Sequence, residues 1–207
     1  MEKYFETLVH FASTGKYRQE VLAAREEHFA AAGQVSEEED NYEDKLRRFI
    51  DWYIFERPLS DTGYPPAVTF FRAFERSFSD EDRAVYDGFC NTRKGLFVVK
   101  KSTEEGVTIQ DLVSKEKFFV EDDVPKGFFK DEIFQARLIP FQGGYRFGES
   151  FCFHPLAVNK RIQKMAKKVD RQDPEAVRSF LEDLIRRRLE SERYRHVDVL
   201  RFYEDKE

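Results

Sequence analysis

The central stretch of the chain, residues 93–154, constrains the fold most strongly. It contains short apolar runs rich in Val, Ile and Phe, at 96–99, 107–109, 117–120, 133–141 and 145–153. Residues typical of turns separate these runs, including a Gly143-Gly144 pair between the last two. Short β-branched and aromatic runs bounded by Gly, Pro and Asp indicate strands, and a glycine pair between two of them indicates a hairpin. The pattern predicts a small antiparallel β-sheet or a closed barrel.

Helical patterns fill the chain before this stretch. Apolar residues recur at helical spacing over 2–13, over 17–32 and in a third segment with the stripe Leu46, Phe49, Ile50 and Tyr53. Pro66 suits the first turn of a helix that continues towards Phe78. Ser79 suits the N-cap of a further helix, which would end near Cys90.

Two more helices are predicted after the strands. Pro155 begins the first, and Asp173-Pro174 places an N-cap residue before a proline at the first helical position of the second. Residues 197–203 fit either a last short strand or a packed tail. The predicted fold is therefore α+β, with a helical region at 1–91, a small antiparallel barrel-like unit at 92–154 and C-terminal helices at 155–207. We expect these parts to pack into one compact domain.

Charge is distributed unevenly along the chain, whose net charge is −5. Residues 1–91 carry 11 Lys and Arg against 19 Asp and Glu, whereas residues 154–207 carry 14 against 11. The acidic first part and the basic last part either attract each other within the fold or present two surfaces of different charge.

Three features predict a cytoplasmic protein. The two cysteines, Cys90 and Cys152, do not form a disulfide framework. The first residues, MEKYFE, lack the basic and then apolar character of a secretory signal. No apolar run approaches the roughly 20 residues that a membrane-spanning helix needs.

The sequence contains no reaction motif. The four histidines are scattered, no glycine-rich loop lies between a strand and a helix, and clustered carboxylates occur at helix starts and in turns. Cys152 and His154 share one face of a predicted strand, but a zinc ion needs four ligands and no second pair is present. Alternatively, Cys152 packs as a small hydrophobe and His154 caps the helix at Pro155. We therefore expect a non-enzymatic protein without metal or cofactor.

Binding is the predicted function that remains. The chain has 22 phenylalanines, which is more aromatic surface than a domain of this size needs for its core. We predict an adaptor or regulator that binds another protein through residues 64–78 and the basic C-terminal helices. The candidate contact residues before the strands are Trp52, Arg57, Tyr64 and Phe71.

Nucleic-acid binding is the alternative, because small β-barrels bind single strands through exposed aromatic residues and a basic groove. A basic helix face follows the predicted barrel and consists of Lys160, Arg161, Lys164, Lys167, Lys168 and Arg171. The sequence pI of about 5.6 argues against this alternative. Nucleic-acid binding predicts an affinity that falls steeply with salt and is weakened by Lys164→Glu.

Two arginines at the predicted strands, Arg93 and Arg137, are further candidates for binding. Arg137 lies in the middle of an apolar run, and a buried arginine needs a carboxylate or carbonyl partner. Asp51 or Glu56 would provide a structural ion pair. The other interpretation is that these arginines anchor an anion or a partner.

The segment Asp51–Gly63, DWYIFERPLSDTG, resembles the aromatic helix end of a family of uncharacterised bacterial proteins. The similarity continues through residues 92–97, 112–116 and 136–145, and so spans about 45–155. Some members carry a cysteine-rich, zinc-binding SEC-C tail. The printed sequence shows no such tail, so the resemblance implies neither a zinc site nor a SecA-like interaction. It implies an architecture of helices followed by a compact β unit, without a known activity.

Overall fold

The computed structural model describes residues 1–32, 42–121 and 127–204. Within these ranges the protein is α+β, as predicted. The helices are α1 Glu2–Ser13, α2 Arg18–Ala32, α3 Tyr42–Phe55, α4 Pro66–Phe74, α5 Asp80–Cys90, α6 Asn159–Ala166 and α7 Pro174–Arg193. The strands are β1 Arg93–Thr103, β2 Gly106–Asp111, β3 Lys117–Val120, β4 Ile133–Phe141, β5 Gly144–Phe147 and β6 Cys152–Phe153.

The chain divides into two compact units. The helical unit comprises Met1–Arg93, Ile139–Gly143 and Gly148–Ser150. The barrel unit comprises Lys94–Leu138, Gly144–Phe147 and Phe151–Glu207. The unit boundaries therefore cross the strand β4, whose last residues belong to the helical unit.

The helical unit is built around the apolar faces of α1, α3, α4 and α5. Its buried side chains include Leu8, Phe49 and Phe70. The Tyr53 hydroxyl of α3 donates to the Ala12 carbonyl at 2.7 Å, which satisfies a polar group at the C-terminal end of α1. In α5, Gly88 approaches the Pro140 backbone so closely that a Cβ atom would overlap its carbonyl oxygen, so the position requires glycine.

Two predicted helix starts are confirmed by their side-chain caps. The Ser79 hydroxyl accepts a hydrogen bond from the Asp82 amide at 3.1 Å at the start of α5. The Asp173 carboxylate accepts one from the Glu175 amide at 2.9 Å at the start of α7. Each cap satisfies an amide that has no partner within its helix.

The barrel unit contains a closed five-stranded barrel. The strands follow the order β1-β2-β3-β5-β4, and β4 pairs with β1 to close the ring. The β3–β5 pair is parallel, whereas β2 is antiparallel to both β1 and β3. This order, with its parallel β3–β5 pair, is that of the OB type of Greek-key barrel. The sixth strand, β6, pairs with β4.

The predicted single strand at 145–153 is wrong. The chain forms β5 up to Phe147 and resumes as β6 at Cys152. Gly148, Glu149 and Ser150 separate the two strands, and residues of these types have a low preference for strand conformation. Residues 197–203 fitted either a strand or a packed tail from the sequence. They include a 3₁₀ turn, Val199–Tyr203, so they form a packed tail and not a strand.

Candidate binding sites

An aromatic cleft opens on the helical unit between α1, α4 and α5. Its volume is about 350 Å³. The side chains around it are Lys3, Tyr4, Thr7, Phe70, Phe74, Ser77, Phe78, Asp82 and Tyr86. Tyr86 is central to this set, because its ring centroid lies 4.8 Å from Phe70, 4.8 Å from Phe78 and 5.5 Å from Tyr4. We call these residues the aromatic cleft.

The polar edge of the aromatic cleft is formed by Asp82, Tyr4 and Lys3. Hydrogen bonds from the Ser79 and Tyr4 hydroxyls lower the pKa of the Asp82 carboxyl, and the nearby Lys3 charge lowers it further. Burial, and then the hydrogen bond to Asp82, raise the pKa of the Tyr4 hydroxyl. The edge therefore carries the Asp82 carboxylate at neutral pH, next to five aromatic rings of the cleft.

The candidate residues predicted in the helical unit lie in different surroundings. Phe71 contacts the cleft residue Phe78, with ring centroids 6.1 Å apart. The exposed ring of Tyr64 is covered by the Arg72 guanidinium at 3.9 Å. Trp52 is half-buried against His28 on α2, at 5.1 Å.

Arg57 is engaged within the helical unit. Its guanidinium forms ion pairs with Glu20 at 2.6 Å and with Glu27 at 2.8 Å, and its side chain is 15 % exposed. The Ser60 hydroxyl also donates to Glu20, and these hydrogen bonds lower the pKa of the Glu20 carboxyl. Arg57 therefore joins α2 to the end of α3, and its charge is largely compensated there.

Tyr4 and Tyr86 were not predicted from the sequence as site residues, whereas residues 64–78 were. These tyrosines lie on α1 and α5, about 80 residues apart in the chain. No local pattern indicates that their rings meet, because the contact depends on how the helices pack.

A second surface lies on the outside of the barrel, across β1, β2 and β3. Lys101 is paired with Thr108, and Thr108 with Phe119, so the three side chains form one row. Lys117 is paired with Gln110 in the next row on the same face. Lys101 and Lys117 are exposed, and Phe119 is 46 % exposed. We call these five residues the lysine–phenylalanine face.

The predicted basic helix face is only partly available for binding. Lys160, Lys164 and Lys168 are exposed on or just after α6. The Arg161 guanidinium, in contrast, donates to the Leu200 carbonyl and lies 3.6 Å from Glu204. It therefore holds the C-terminal tail.

The two strand arginines differ in exposure. Arg93 is half-buried at the start of β1, while Arg137 is 4 % exposed within β4. Burial of Arg137 agrees with its position in an apolar run. The predicted ion pair with Asp51 or Glu56 stays a prediction.

His154 forms part of a buried polar cluster in the barrel unit. Its Nδ1 atom lies 2.8 Å from the Tyr203 hydroxyl, and its Nε2 atom lies 3.4 Å from the amide nitrogen of Gln135, which donates to the Leu181 carbonyl. Burial, with a smaller contribution from Arg188, lowers the pKa of His154 to about 3. The imidazole is therefore neutral at pH 7 and has a structural role. Its two ring nitrogens contact Gln135 on β4 and Tyr203 in the C-terminal tail, so the side chain does not cap the helix at Pro155.

Two kinds of feature are absent from the part of the chain that the structure describes. Among residues 1–32, 42–121 and 127–204, no three His, Cys, Asp or Glu side chains are grouped as metal ligands. In the same ranges, no helix combines the length and the apolar character needed to span a membrane.

Comparison with known proteins identifies a family but no activity. No curated protein and no solved structure matches the chain. A family model described as a family of unknown function, DUF7986, matches residues 17–182. The match covers well over half of the sequence, including the helices α2 to α5 and the whole barrel. The chain therefore belongs to this family of unknown function, DUF7986.

Proposed function

We propose that the protein is a non-enzymatic, cytoplasmic adaptor or regulator that binds another protein through the aromatic cleft. The open cleft of about 350 Å³, with five aromatic rings around it, is the observation that carries this proposal. Phe74 lies at this cleft with 41 % of its side chain exposed. Clustered, partly exposed aromatic rings are typical of the centre of protein interfaces.

The chemistry of the cleft defines the partner segment that fits it. The aromatic rings accept an apolar side chain, which loses its contact with water when it enters. Residues 1–91, which form most of the helical unit, carry eight more acidic than basic side chains. Charge complementarity therefore favours a partner segment that places an apolar anchor among lysines or arginines.

Site-specific crosslinking tests this proposal. A photoreactive amino acid at Ser77, an exposed residue of the cleft, is expected to give a discrete crosslinked protein in native host cells. Phe74→Asp is expected to reduce the yield about tenfold or more, because it puts a charge at the centre of an apolar contact. The yield is measured by immunoblotting, and the crosslinked protein is identified by mass spectrometry.

Two matched controls make the result specific. Asn91 is exposed at the C-terminal end of α5, whereas the cleft residue Asp82 lies at the N-terminal end. A photoreactive residue at Asn91 is therefore expected to give no such product. Phe119→Asp alters a ring of similar exposure on the barrel unit and is expected to leave the product unchanged. Equal yields from the parent protein and Phe74→Asp, with both folded by circular dichroism, would contradict the proposal.

A further inference from the structure

One side of the outer surface of the barrel packs against the C-terminal helices and tail of the same unit. Leu96, Val98 and Ile133 form a core with α6, α7 and the C-terminal tail, through residues that include Ile162 and Leu184. The barrel interior is a separate core, which includes Phe97, Ile109 and Phe118. The side chains of the lysine–phenylalanine face belong to neither core.

This face combines a flat apolar ring with positive charge. Phe119 lies in the same row as Lys101, two strands away. Because neighbouring strands are about 4.8 Å apart, the two residues are separated by about 10 Å. Lys117 precedes Phe119 by two residues on β3, about 7 Å along the strand. Lys100, at the irregularity between Val99 and Lys101, is a third exposed cation.

The acidic residue after β3 is paired with an arginine of the barrel. Glu121 follows the end of β3, and the Arg146 guanidinium of β5 donates to its carbonyl and lies 3.6 Å from its carboxylate. Lys100, Lys101 and Lys117 are all exposed, so their charges can act on a ligand.

From this arrangement we infer that the lysine–phenylalanine face binds single-stranded nucleic acid. A base stacks on the Phe119 ring, and Lys100, Lys101 and Lys117 neutralise the phosphates on either side of it. Thr108 supplies a hydroxyl group to the same nucleic-acid strand, whereas the Gln110 amide already donates to the Lys115 carbonyl at 3.0 Å. A duplex does not fit this chemistry, because its bases are already stacked and cannot reach an exposed ring.

The Phe119 ring also has a structural contact, which the test must separate from binding. A Cβ atom at Gly106 would lie 3.0 Å from its Cζ atom, so the ring lies against this glycine in the β1–β2 hairpin. Aromatic residues stabilise strand glycines in this way. Phe119 nevertheless stays 46 % exposed, which leaves ring surface on which a base can stack.

Fluorescence anisotropy with labelled 12-nucleotide oligo-dT and oligo-U tests the inference on the full chain. The protein is expected to bind at least one of them and to bind a 12-base-pair duplex at least tenfold more weakly. With three phosphates neutralised, the slope of log K against log salt is about −2, so affinity falls roughly twentyfold between 50 and 200 mM salt. Lys117→Gln is expected to reduce this slope by about 0.7.

Variants separate this site from the other surfaces. Phe119→Ala is expected to weaken binding roughly tenfold, and Phe119→Trp, which keeps a flat ring over Gly106, to preserve it. Phe74→Ala, in the aromatic cleft, is expected to leave the affinity for the oligonucleotide unchanged. The nucleic-acid proposal and the protein-binding proposal can therefore fail independently of each other. Absence of binding at 20 mM salt would overturn the inference. Binding that is lost in Lys164→Glu but not in Phe119→Ala or Lys117→Gln would overturn it as well.

Discussion

Replacement of Phe134 by alanine is expected to lower the free energy of unfolding by about 3–5 kcal/mol. Phe134 is fully buried in the barrel, and its ring contacts the rings of Phe97, Phe128, Phe147, Phe151 and Phe153 at centroid distances of 5.2–6.1 Å. Truncation removes the apolar surface of one ring and leaves a cavity among the remaining rings. Phe97, Phe147 and Phe153 lie on three different strands, so these rings cannot all move inward to fill it.

Urea unfolding followed by far-ultraviolet circular dichroism measures this effect. The midpoint should fall while the slope of free energy against urea stays the same. Phe129→Ala is the matched control, because Phe129 is 67 % exposed and its loss should change the free energy of unfolding by less than about 0.5 kcal/mol. A loss below about 1 kcal/mol in Phe134→Ala would show that the ring cluster is not the core of the barrel.

The sequence predicted those elements that a local pattern determines. The stripe of α3, the caps at Ser79 and Asp173 and the runs of Val, Ile and Phe each act within a few residues. Each of these features correctly identified a helix or a strand. The separation of β5 from β6 was missed, because the alternation of Phe147, Phe151 and Phe153 continues across the polar gap at 148–150.

The strand order was not predictable in the same way. The parallel β3–β5 pair and the β1–β4 closure join segments that are distant in the chain. Their pairing depends on the register of the whole barrel. The pair Phe118-Phe119 shows the consequence, since alternation puts the two rings on opposite faces without indicating which ring faces the core. The structure buries Phe118 and exposes Phe119, and this assignment creates the candidate nucleic-acid site.

The two proposed sites have different requirements for their residues. The aromatic cleft needs rings from three helices, so it forms only when the helical unit is folded. The lysine–phenylalanine face needs three neighbouring strands in register, and so depends on the barrel. Because each site lies within a single unit, each can be disabled by one substitution that leaves the other unit intact. For this reason a Phe119 variant serves as the control for the aromatic cleft, and a Phe74 variant serves as the control for the lysine–phenylalanine face.

Acidification from pH 7 to pH 5 is expected to lower the free energy of unfolding by about 2 kcal/mol through His154. The pKa of this imidazole is about 3 in the folded protein, against 6.5 as its ordinary value. As the pH falls below 6.5, the unfolded chain takes up a proton that the folded protein excludes until about pH 3. Protonation therefore favours the unfolded state throughout this interval, and the stability present above pH 6.5 is progressively lost.

His154→Gln isolates this contribution, because glutamine keeps a hydrogen-bonding group near Tyr203 but does not titrate. The variant should be less stable at pH 7, yet its loss of stability between pH 7 and pH 5 should be smaller by about 2 kcal/mol. Urea unfolding at both pH values gives the comparison. The carboxyls with lowered pKa values, at Glu20, Asp61 and Asp82, lose their stabilising charge only at lower pH, below about pH 4.5. An equal pH dependence in the parent protein and the variant would show that water reaches the imidazole and that the cluster with Gln135 and Tyr203 is not closed.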